Sequence, residues 1–211
     1  MTFDAGPPRD CADCPRLAAF RAANRVQFPD FWNAPVPSFG DASARLLIVG
    51  LAPGLRGANR TGRPFTADYA GELLYATLIA FGFASGAYDR RPDDGLELVD
   101  CAIVNAVRCV PPENKPSPAE IATCRLYLKP AIAALPRLKI VLALGRIAHE
   151  SALRALDLKP ARFPFAHGAR HALEPATLFD SYHCSRYNTN TGVLTEAMFA
   201  EVFASIRAEL V

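Results

Sequence analysis

The sequence "RLLIVGLA", residues 45–52, is an almost unbroken apolar run with the length of a single strand. Three similar runs follow along the chain: "LVDCAIVNAV" (98–107), "KIVLALG" (139–145) and "ATLFDSYH" (176–183). Strands that are buried on both faces of a parallel sheet have this pattern, because neither face meets water. The four runs therefore predict a buried parallel sheet.

Helical patterns alternate with these strands, over residues 11–24, 70–83, 117–135, 146–156 and 195–210. The third helix has the clearest start, since Ser117 and Glu120 form a capping-box pattern and Pro118 takes the first helical position. Alternation of strands and helices predicts a three-layer α/β/α fold. We expect residues 1–211 to form one domain, with the cysteine-bearing first helix packed on it.

Composition and charge exclude several classes of protein. Hydrophobic residues make up 51% of the chain and charged residues 21%, which is ordinary for a globular protein. The net charge is only +2, so nucleic-acid binding would need a local cluster of basic residues. No apolar run reaches the ~20 residues of a membrane span, and "MTFDAGPPRD" at the start lacks the features of a signal peptide. We expect a cytoplasmic protein without a membrane partner, whose six cysteines do not form disulfides.

Polar residues follow each predicted strand. The four segments are "GLAPGLRGANRTGRPFTADYAG" (50–71), "NAVRCVPP" (105–112), "ALGRIAHE" (143–150) and "HCSRYNTNTG" (183–192). In open parallel sheets the ligand crevice lies beyond the carboxyl ends of the strands. Extended to Thr195, the last segment carries a histidine, an arginine, amides and hydroxyls, but no carboxylate. The sequence therefore predicts a ligand site at this edge of the sheet, beside a loop without negative charge.

Four cysteines are placed as metal ligands would be. Cys11 and Cys14 form a C-x2-C pair, and Cys109 and Cys124 are separated by 14 residues. Both zinc and a [4Fe–4S] cluster accept four cysteine thiolates. The wide second spacing favours iron–sulfur over zinc, and the remaining alternative is a set of inert buried thiols. Cys101 lies mid-strand and is read as a core residue.

Residues 42–67, which include most of the first loop, contain four arginines and no acidic residue. This loop has neither the Walker pattern nor a G-x-G-x-x-G fingerprint. Arginine suits phosphate oxygens because its donors form a planar fork, although a solvated surface loop would also be rich in arginine. Phe65 lies inside this polar loop, so its ring must either fill space beneath the loop or stack on a flat ligand.

Taken together, "GLAPGLRGANRTGRPFTADYAG", "NAVRCVPP", "HCSRYNTNTGVLT" and the four cysteines resemble the uracil-DNA glycosylase superfamily. The resemblance is to its iron–sulfur-containing family 5, or type B, and runs from about Cys11 to the last helix. Family 4 has a similar set of cysteines but a glutamate where this chain has Leu51. One departure is Cys184, which stands between His183 and Ser185 where the family usually has proline.

The resemblance implies a central four-stranded parallel sheet between helices and one [4Fe–4S] cluster on Cys11, Cys14, Cys109 and Cys124. It implies a monofunctional glycosylase that removes uracil and other deaminated bases, such as hypoxanthine, from double-stranded DNA. We expect the protein to act as a monomer. A damaged-DNA-binding module of the same fold, without turnover, is the alternative, and a redox protein is a weaker one.

The resemblance also assigns the site. Phe65 would stack on an extruded base, Asn105 would bind its Watson–Crick edge, and His183 would donate to the departing base anion. Other base contacts are expected from Gly50, Ala52 and Gly54. Contacts to DNA are expected from Arg60, Arg63, Ser185, Arg186 and Asn188.

Asp68 is the residue with two competing interpretations. It is the nearest carboxylate that could orient the attacking water, because the first motif has leucine at position 51. It also precedes the predicted helix 70–83, where aspartate is a common N-cap. His149, His167 and His171 have no support from any motif and are read as surface or helix residues.

Overall fold

The computed structural model describes residues 6–40 and 42–211. Within these ranges, every helix is too short or too polar to cross a bilayer. The helices are α1 (Pro15–Gln27), α2 (Ala58–Thr61), α3 (Tyr69–Ala80), α4 (Pro118–Ala133), α5 (Arg146–Ala155), α6 (Arg186–Asn190) and α7 (Glu196–Leu210). The strands are β1 (Phe39–Gly40), β2 (Leu46–Gly50), β3 (Ala84–Ser85), β4 (Glu97–Leu98), β5 (Cys101–Asn105), β6 (Ile140–Leu144), β7 (Arg170–His171) and β8 (Thr177–Ser181).

The four predicted strands form the parallel centre of one sheet, in the order β5-β2-β6-β8. Their registers bring the carboxyl ends to the same edge, with Gly50 beside Asn105 and Leu144 beside Ser181. The sheet has six strands, because β1 and β7 add to its two edges in the antiparallel direction. These edge strands have two residues each and therefore carry no periodic pattern that a sequence could reveal.

Helices cover both faces of the sheet. On one face, Leu74 of α3 and Phe199 and Phe203 of α7 pack against β2 and β6. On the other, Leu128 of α4 and Ala152 of α5 pack against alternate residues of the same strands. This arrangement confirms the three-layer prediction, and it explains the unbroken apolar runs because each central strand is buried on both sides.

The five predicted helices are all present, with shifted ends. The capping box of α4 is formed, since the Ser117 hydroxyl accepts the Glu120 N–H at 3.3 Å and the Glu120 carboxylate accepts the Ser117 N–H at 2.7 Å. Helix α1 begins only at Pro15, because Cys14 has extended backbone angles. An ion pair of 2.6 Å between Arg16 and Glu120 joins α1 to α4.

The predicted strand 98–107 starts too early. Asp100 has a φ of 53° and separates Leu98, which belongs to β4, from Cys101 at the start of β5. The Asp100 carboxylate accepts bonds from the backbone N–H and the guanidinium of Arg45, at 2.9 and 2.7 Å. Strands β3 and β4 form a small separate hairpin whose connecting loop spans residues 86–96.

Candidate active site

A cavity of about 590 Å³ opens at the carboxyl ends of the central strands. This volume lies within the ~300–1,000 Å³ range of small-molecule sites. Its walls come from the segments that follow the four parallel strands, and the predicted residues among them are Ala52, Gly54, Phe65, Asp68, Asn105, His183, Ser185 and Arg186. Leu51, Tyr69, Ala70, Asn114 and the 144–147 turn complete the wall. The 144–147 turn belongs to the third strand-exit segment, 143–150, for whose residues the sequence predicts no specific role.

Phe65 and His183 face each other across this cavity, with ring centroids 6.0 Å apart and an angle of 31° between the planes. Phe65 is 6% exposed, and its ring reaches back to the end of β2. A Cβ on Gly50 would lie 2.4 Å from Asn105 Oδ1 and 2.6 Å from the Phe65 ring. Gly50 is therefore required where strand backbone, amide and ring meet, although it does not line the cavity.

Asn105 ends β5 with its side chain 3% exposed. Its Oδ1 has no hydrogen-bond partner among the described residues. Buried polar atoms are nearly always hydrogen-bonded, so an unpaired oxygen at the wall of a cavity indicates a ligand or water as its partner. The position supports the predicted contact to a base edge.

Asp68 precedes α3, but its side chain makes no cap hydrogen bond to that helix. Asp68 therefore occupies the N-cap position of α3 without capping the helix through its carboxylate. Its carboxylate instead accepts the Ala58 N–H at 3.3 Å and also bonds to the Gly54 backbone. A Cβ on Gly57 would lie 1.8 Å from Asp68 Oδ1, so the first loop needs glycine there to admit the carboxylate. Burial raises the pKa of Asp68 above its ordinary 3.8 even though the backbone N–H groups oppose this shift.

His183 follows β8 and is held by its own loop. The Asn188 side-chain amide donates to the His183 carbonyl at 2.8 Å, and the Ser185 hydroxyl caps α6 by accepting the Asn188 N–H at 3.4 Å. Burial lowers the pKa of His183 to about 4. The imidazole is therefore neutral near pH 7 and can donate from one ring nitrogen. These bonds give Ser185 and Asn188 a role in shaping the loop, and their contacts to DNA stay a prediction.

The sequence that forms this site also matches known proteins. The sequence profile of the Uracil DNA glycosylase superfamily matches residues 37–207, which include every wall residue of the cavity. The chain belongs to the uracil-DNA glycosylase superfamily. It is 44% identical to the Type-5 uracil-DNA glycosylase of Thermus thermophilus over 91% of this chain and 90% of that protein.

Two further relatives place the chain within the superfamily. The Type-5 uracil-DNA glycosylase of Pyrobaculum aerophilum is 37% identical over 95% of this chain and 89% of that protein. The Type-4 uracil-DNA glycosylase of Archaeoglobus fulgidus is 33% identical but matches only 59% of this chain and 55% of its own length. The longer match to the Type-5 proteins agrees with Leu51 in the first motif, where family 4 has glutamate.

The arginines of the first glycosylase loop separate into two kinds. Arg60 is exposed on α2 and is free to meet phosphate. Arg63 is only 5% exposed, and its guanidinium bonds to both carboxylate oxygens of Asp94 at 2.8 Å. The prediction that Arg63 contacts DNA is therefore wrong, because a buried arginine with a buried carboxylate partner cannot reach a phosphate. Arg186 is exposed and lies 5.0 Å from the centre of the Tyr69 ring.

The four predicted cysteine ligands lie in one region between α1 and α4. Cys109 and Cys124 pack with Leu17 and Val107, and Cys14 packs against this group. Nitrogen donors point at the two buried sulfurs: the Arg21 guanidinium at Cys109 Sγ, at 3.5 Å, and the Arg108 N–H at Cys124 Sγ, at 3.3 Å. Burial raises the pKa of Cys109 to about 11 and that of Cys124 to about 12. A positive centre among these sulfurs would favour the thiolates that burial opposes.

The described cysteine sulfurs are not gathered at the spacing that a single zinc ion requires. Four sulfurs at ~2.3 Å from one zinc ion would lie about 3.8 Å from each other. Among the described residues, no three cysteine sulfurs come within 4.8 Å of one another, whereas His149, His171 and Asp180 do form such a group.

None of His149, His171 and Asp180 lines the cavity. His149 lies on helix α5, which is one of the two readings that the sequence allows, and it is only 1% exposed. Its two nitrogens already have partners: Nδ1 is 2.7 Å from Asp180 and Nε2 is 2.8 Å from the Phe163 carbonyl. His171 Nε2 lies 3.2 Å from the other Asp180 oxygen. This satisfied network joins α5, β7 and β8.

Proposed function

We propose that this chain is a monofunctional DNA glycosylase that hydrolyses the N-glycosidic bond of uracil in double-stranded DNA and so initiates base excision repair. The observation that carries the proposal is one cavity that combines a buried aromatic ring, an unpaired amide oxygen, a neutral histidine and a buried carboxylate. The names of the Type-5 relatives, which match about nine tenths of the chain, support it. We place its action as a monomer in the prokaryotic cytoplasm, in keeping with bacterial and archaeal relatives.

Phe65 and Asn105 form the part of the site that holds the extruded base. A base taken out of the duplex loses its stacking partners, and the Phe65 ring replaces one of them. Asn105 Oδ1 accepts an N–H from the base edge or a hydrogen from the attacking water. The cavity volume of about 590 Å³ leaves room for a purine, so we extend the proposed substrates to other deaminated bases such as hypoxanthine.

His183 and Asp68 share the bond-breaking step. As the glycosidic bond stretches, negative charge gathers on the base and positive charge on the sugar. A neutral imidazole N–H from His183 stabilises the base anion as an oxyanion-hole donor does. The Asp68 carboxylate orients the water and takes its proton as the water oxygen bonds to the sugar carbon.

A cleavage assay tests this function. The duplex carries a single uracil, and a matched duplex carries thymine at that position. We expect release of free uracil from the first duplex only, with the strand intact until alkali cuts it at the abasic site. Tight binding without release would instead support the damaged-DNA-binding module, and cutting before alkali would contradict the monofunctional assignment.

Gly50→Ala is expected to slow uracil release by more than about 10-fold without unfolding the protein. The added methyl would meet Asn105 Oδ1 at 2.4 Å and the Phe65 ring at 2.6 Å, so both groups must move. Small displacements of positioning groups have large effects on rate. Single-turnover rates and thermal melting curves of the two proteins separate this effect from instability. A wild-type rate would show that Phe65 and Asn105 do not need their present positions.

Arg60→Ala and Arg63→Ala form a matched pair on one loop. Loss of the exposed Arg60 should weaken binding to uracil-containing and undamaged duplexes equally and lower the salt dependence by about one counterion. Loss of the buried Arg63 leaves Asp94 without its partner and should destabilise the fold by about 3–5 kcal/mol. Binding titrations at several salt concentrations and chemical denaturation measure the two effects. The assignment fails if the two variants behave alike.

The cysteine site is proposed to hold one [4Fe–4S] cluster through Cys11, Cys14, Cys109 and Cys124. When bound, the cluster ties the start of α1 to α4 and to the segment after β5, which is a structural role. Anaerobically purified protein should contain about four iron atoms per chain. Cys109→Ser should lose iron and melt at a lower temperature, while Cys101→Ser should retain the iron. Stoichiometric zinc in place of iron would contradict this assignment.

A further inference from the structure

Phe65, the proposed stacking platform for the base, has a backbone conformation that is unfavourable for phenylalanine. Phe65 has a φ of 55° and Ala67 a φ of 62°, both in the left-handed region. This region is uncommon for residues with a side chain, and it persists only where surrounding groups enforce it. Two such residues within three positions indicate that something outside the 63–67 segment holds it in place.

Two tyrosine hydroxyls bond to this segment. Tyr88 accepts the Ala67 N–H at 3.1 Å and donates to the Phe65 carbonyl at 3.3 Å, so one hydroxyl joins the two left-handed residues. Tyr75 of α3 donates to the Pro64 carbonyl at 2.6 Å. The two tyrosine rings pack together with centroids 4.6 Å apart. Burial raises the pKa of Tyr88 to about 12, so its hydroxyl stays a donor near neutral pH.

The Arg63–Asp94 ion pair holds the same segment through further contacts. The Arg63 side chain donates to the Thr66 hydroxyl at 2.6 Å and lies over the rings of Tyr75 and Tyr88 at 5.5 and 6.0 Å. Asp94 also accepts the N–H groups of Asp89 and Leu96, which tie it to the 86–96 loop. Tyr88 and Asp94 thus both come from this loop, so the small β3–β4 hairpin carries the groups that hold the platform.

We propose that Tyr88 is a positioning residue for base excision, whose hydroxyl locks the Phe65 backbone in the conformation that presents the ring to the base. The proposal rests on the proposed glycosylase function, since it assigns Phe65 as the platform. Helix α3 also packs tightly against the Phe65 backbone, because a Cβ on Gly71 would lie 1.9 Å from the Phe65 carbonyl oxygen. Tyr88 itself acts on the reaction only through Phe65.

Tyr88→Phe tests the proposal by removing one oxygen atom and keeping the ring. We expect single-turnover uracil release at saturating enzyme to slow on the order of 10-fold, as two backbone hydrogen bonds are lost. Inhibition by free uracil should weaken by a similar factor, because the stacking surface is less well placed. Affinity for a duplex with a tetrahydrofuran abasic site should stay unchanged, because that duplex offers no base to stack.

Arg90→Gln is the matched control. It removes an ion pair between Arg90 and Glu72 on the same 86–96 loop without touching the platform, and its rate should equal that of the wild type. If Tyr88→Phe melts below the assay temperature, the same measurements are made on it and on the wild type at a lower temperature. A normal rate in the tyrosine variant overturns the proposal, and so does a loss shared equally with abasic-site affinity. An inactive wild-type enzyme would instead reject the proposed function.

Discussion

Replacing His183 with alanine is expected to slow single-turnover release of uracil by about 100-fold or more while leaving DNA affinity nearly intact. The reason is that the imidazole stabilises charge that exists only in the transition state. His183→Gln keeps a side-chain N–H donor and should retain part of the lost rate. Measurements at saturating enzyme separate the chemical step from binding. An equal loss of rate and DNA affinity in the alanine variant would make His183 a binding residue instead.

The protonation state of His183 predicts how the rate of uracil release depends on pH. Burial lowers its pKa to about 4, so the neutral form is already dominant well below pH 7. If the neutral form is the donor, the rate should not fall as the pH rises from about 5 to about 8. A decline over that interval would indicate a protonated imidazole as the active form.

Asp68→Asn is expected to cause the other large loss, about 100- to 10,000-fold in the rate of uracil release. Asparagine keeps the shape of the side chain and can still accept the Ala58 N–H, but it cannot take a proton from water. The wild-type rate should rise with pH through the raised pKa of Asp68 and then level off. The variant should lack this rise, and rate–pH profiles of both proteins measure it.

Stability separates this role from a structural one. A raised pKa means that the folded protein binds the Asp68 proton more tightly than the unfolded chain does. The stability contribution of Asp68 is therefore lost as the pH rises from the ordinary 3.8 through the folded value. Asp68→Asn removes this buried charge, so its melting temperature at pH 7 should equal or exceed that of the wild type. A lower melting temperature with a normal rate would make Asp68 structural.

The sequence predicted the centre of the fold well, because burial on both faces leaves a clear mark. The four parallel strands and five longer helices each have an apolar pattern long enough to recognise. The two-residue strands β1 and β7 have none, and they form only because the edges of the sheet are available to them. The apolar pattern places Asp100 inside a strand, because the contact with Arg45 that accompanies its left-handed backbone joins residues 55 positions apart.

The site was predicted as a set of residue types, and its errors come from partners that are distant in sequence. The position of Arg63 in the loop is typical of a phosphate ligand. Its guanidinium, however, is buried against the carboxylate of Asp94, which lies 31 residues further on. Asp68 stands where a helix cap would, but Gly54 and Gly57 open a different place for its carboxylate. His149 had no motif, and its buried partner Asp180 lies 31 residues away. Local patterns do not show which side chains long-range packing will pair.

The most direct test of the central claim is the crystal structure of the protein bound to a duplex that carries one hydrolysis-resistant 2′-fluoro-2′-deoxyuridine. The claim is that this cavity receives an extruded uracil. We expect the uracil outside the helix, stacked on Phe65, with its edge at Asn105 and the ring of His183 within hydrogen-bond distance. A uracil that remains paired in the duplex, or one that occupies a different surface of the bound protein, would contradict the account.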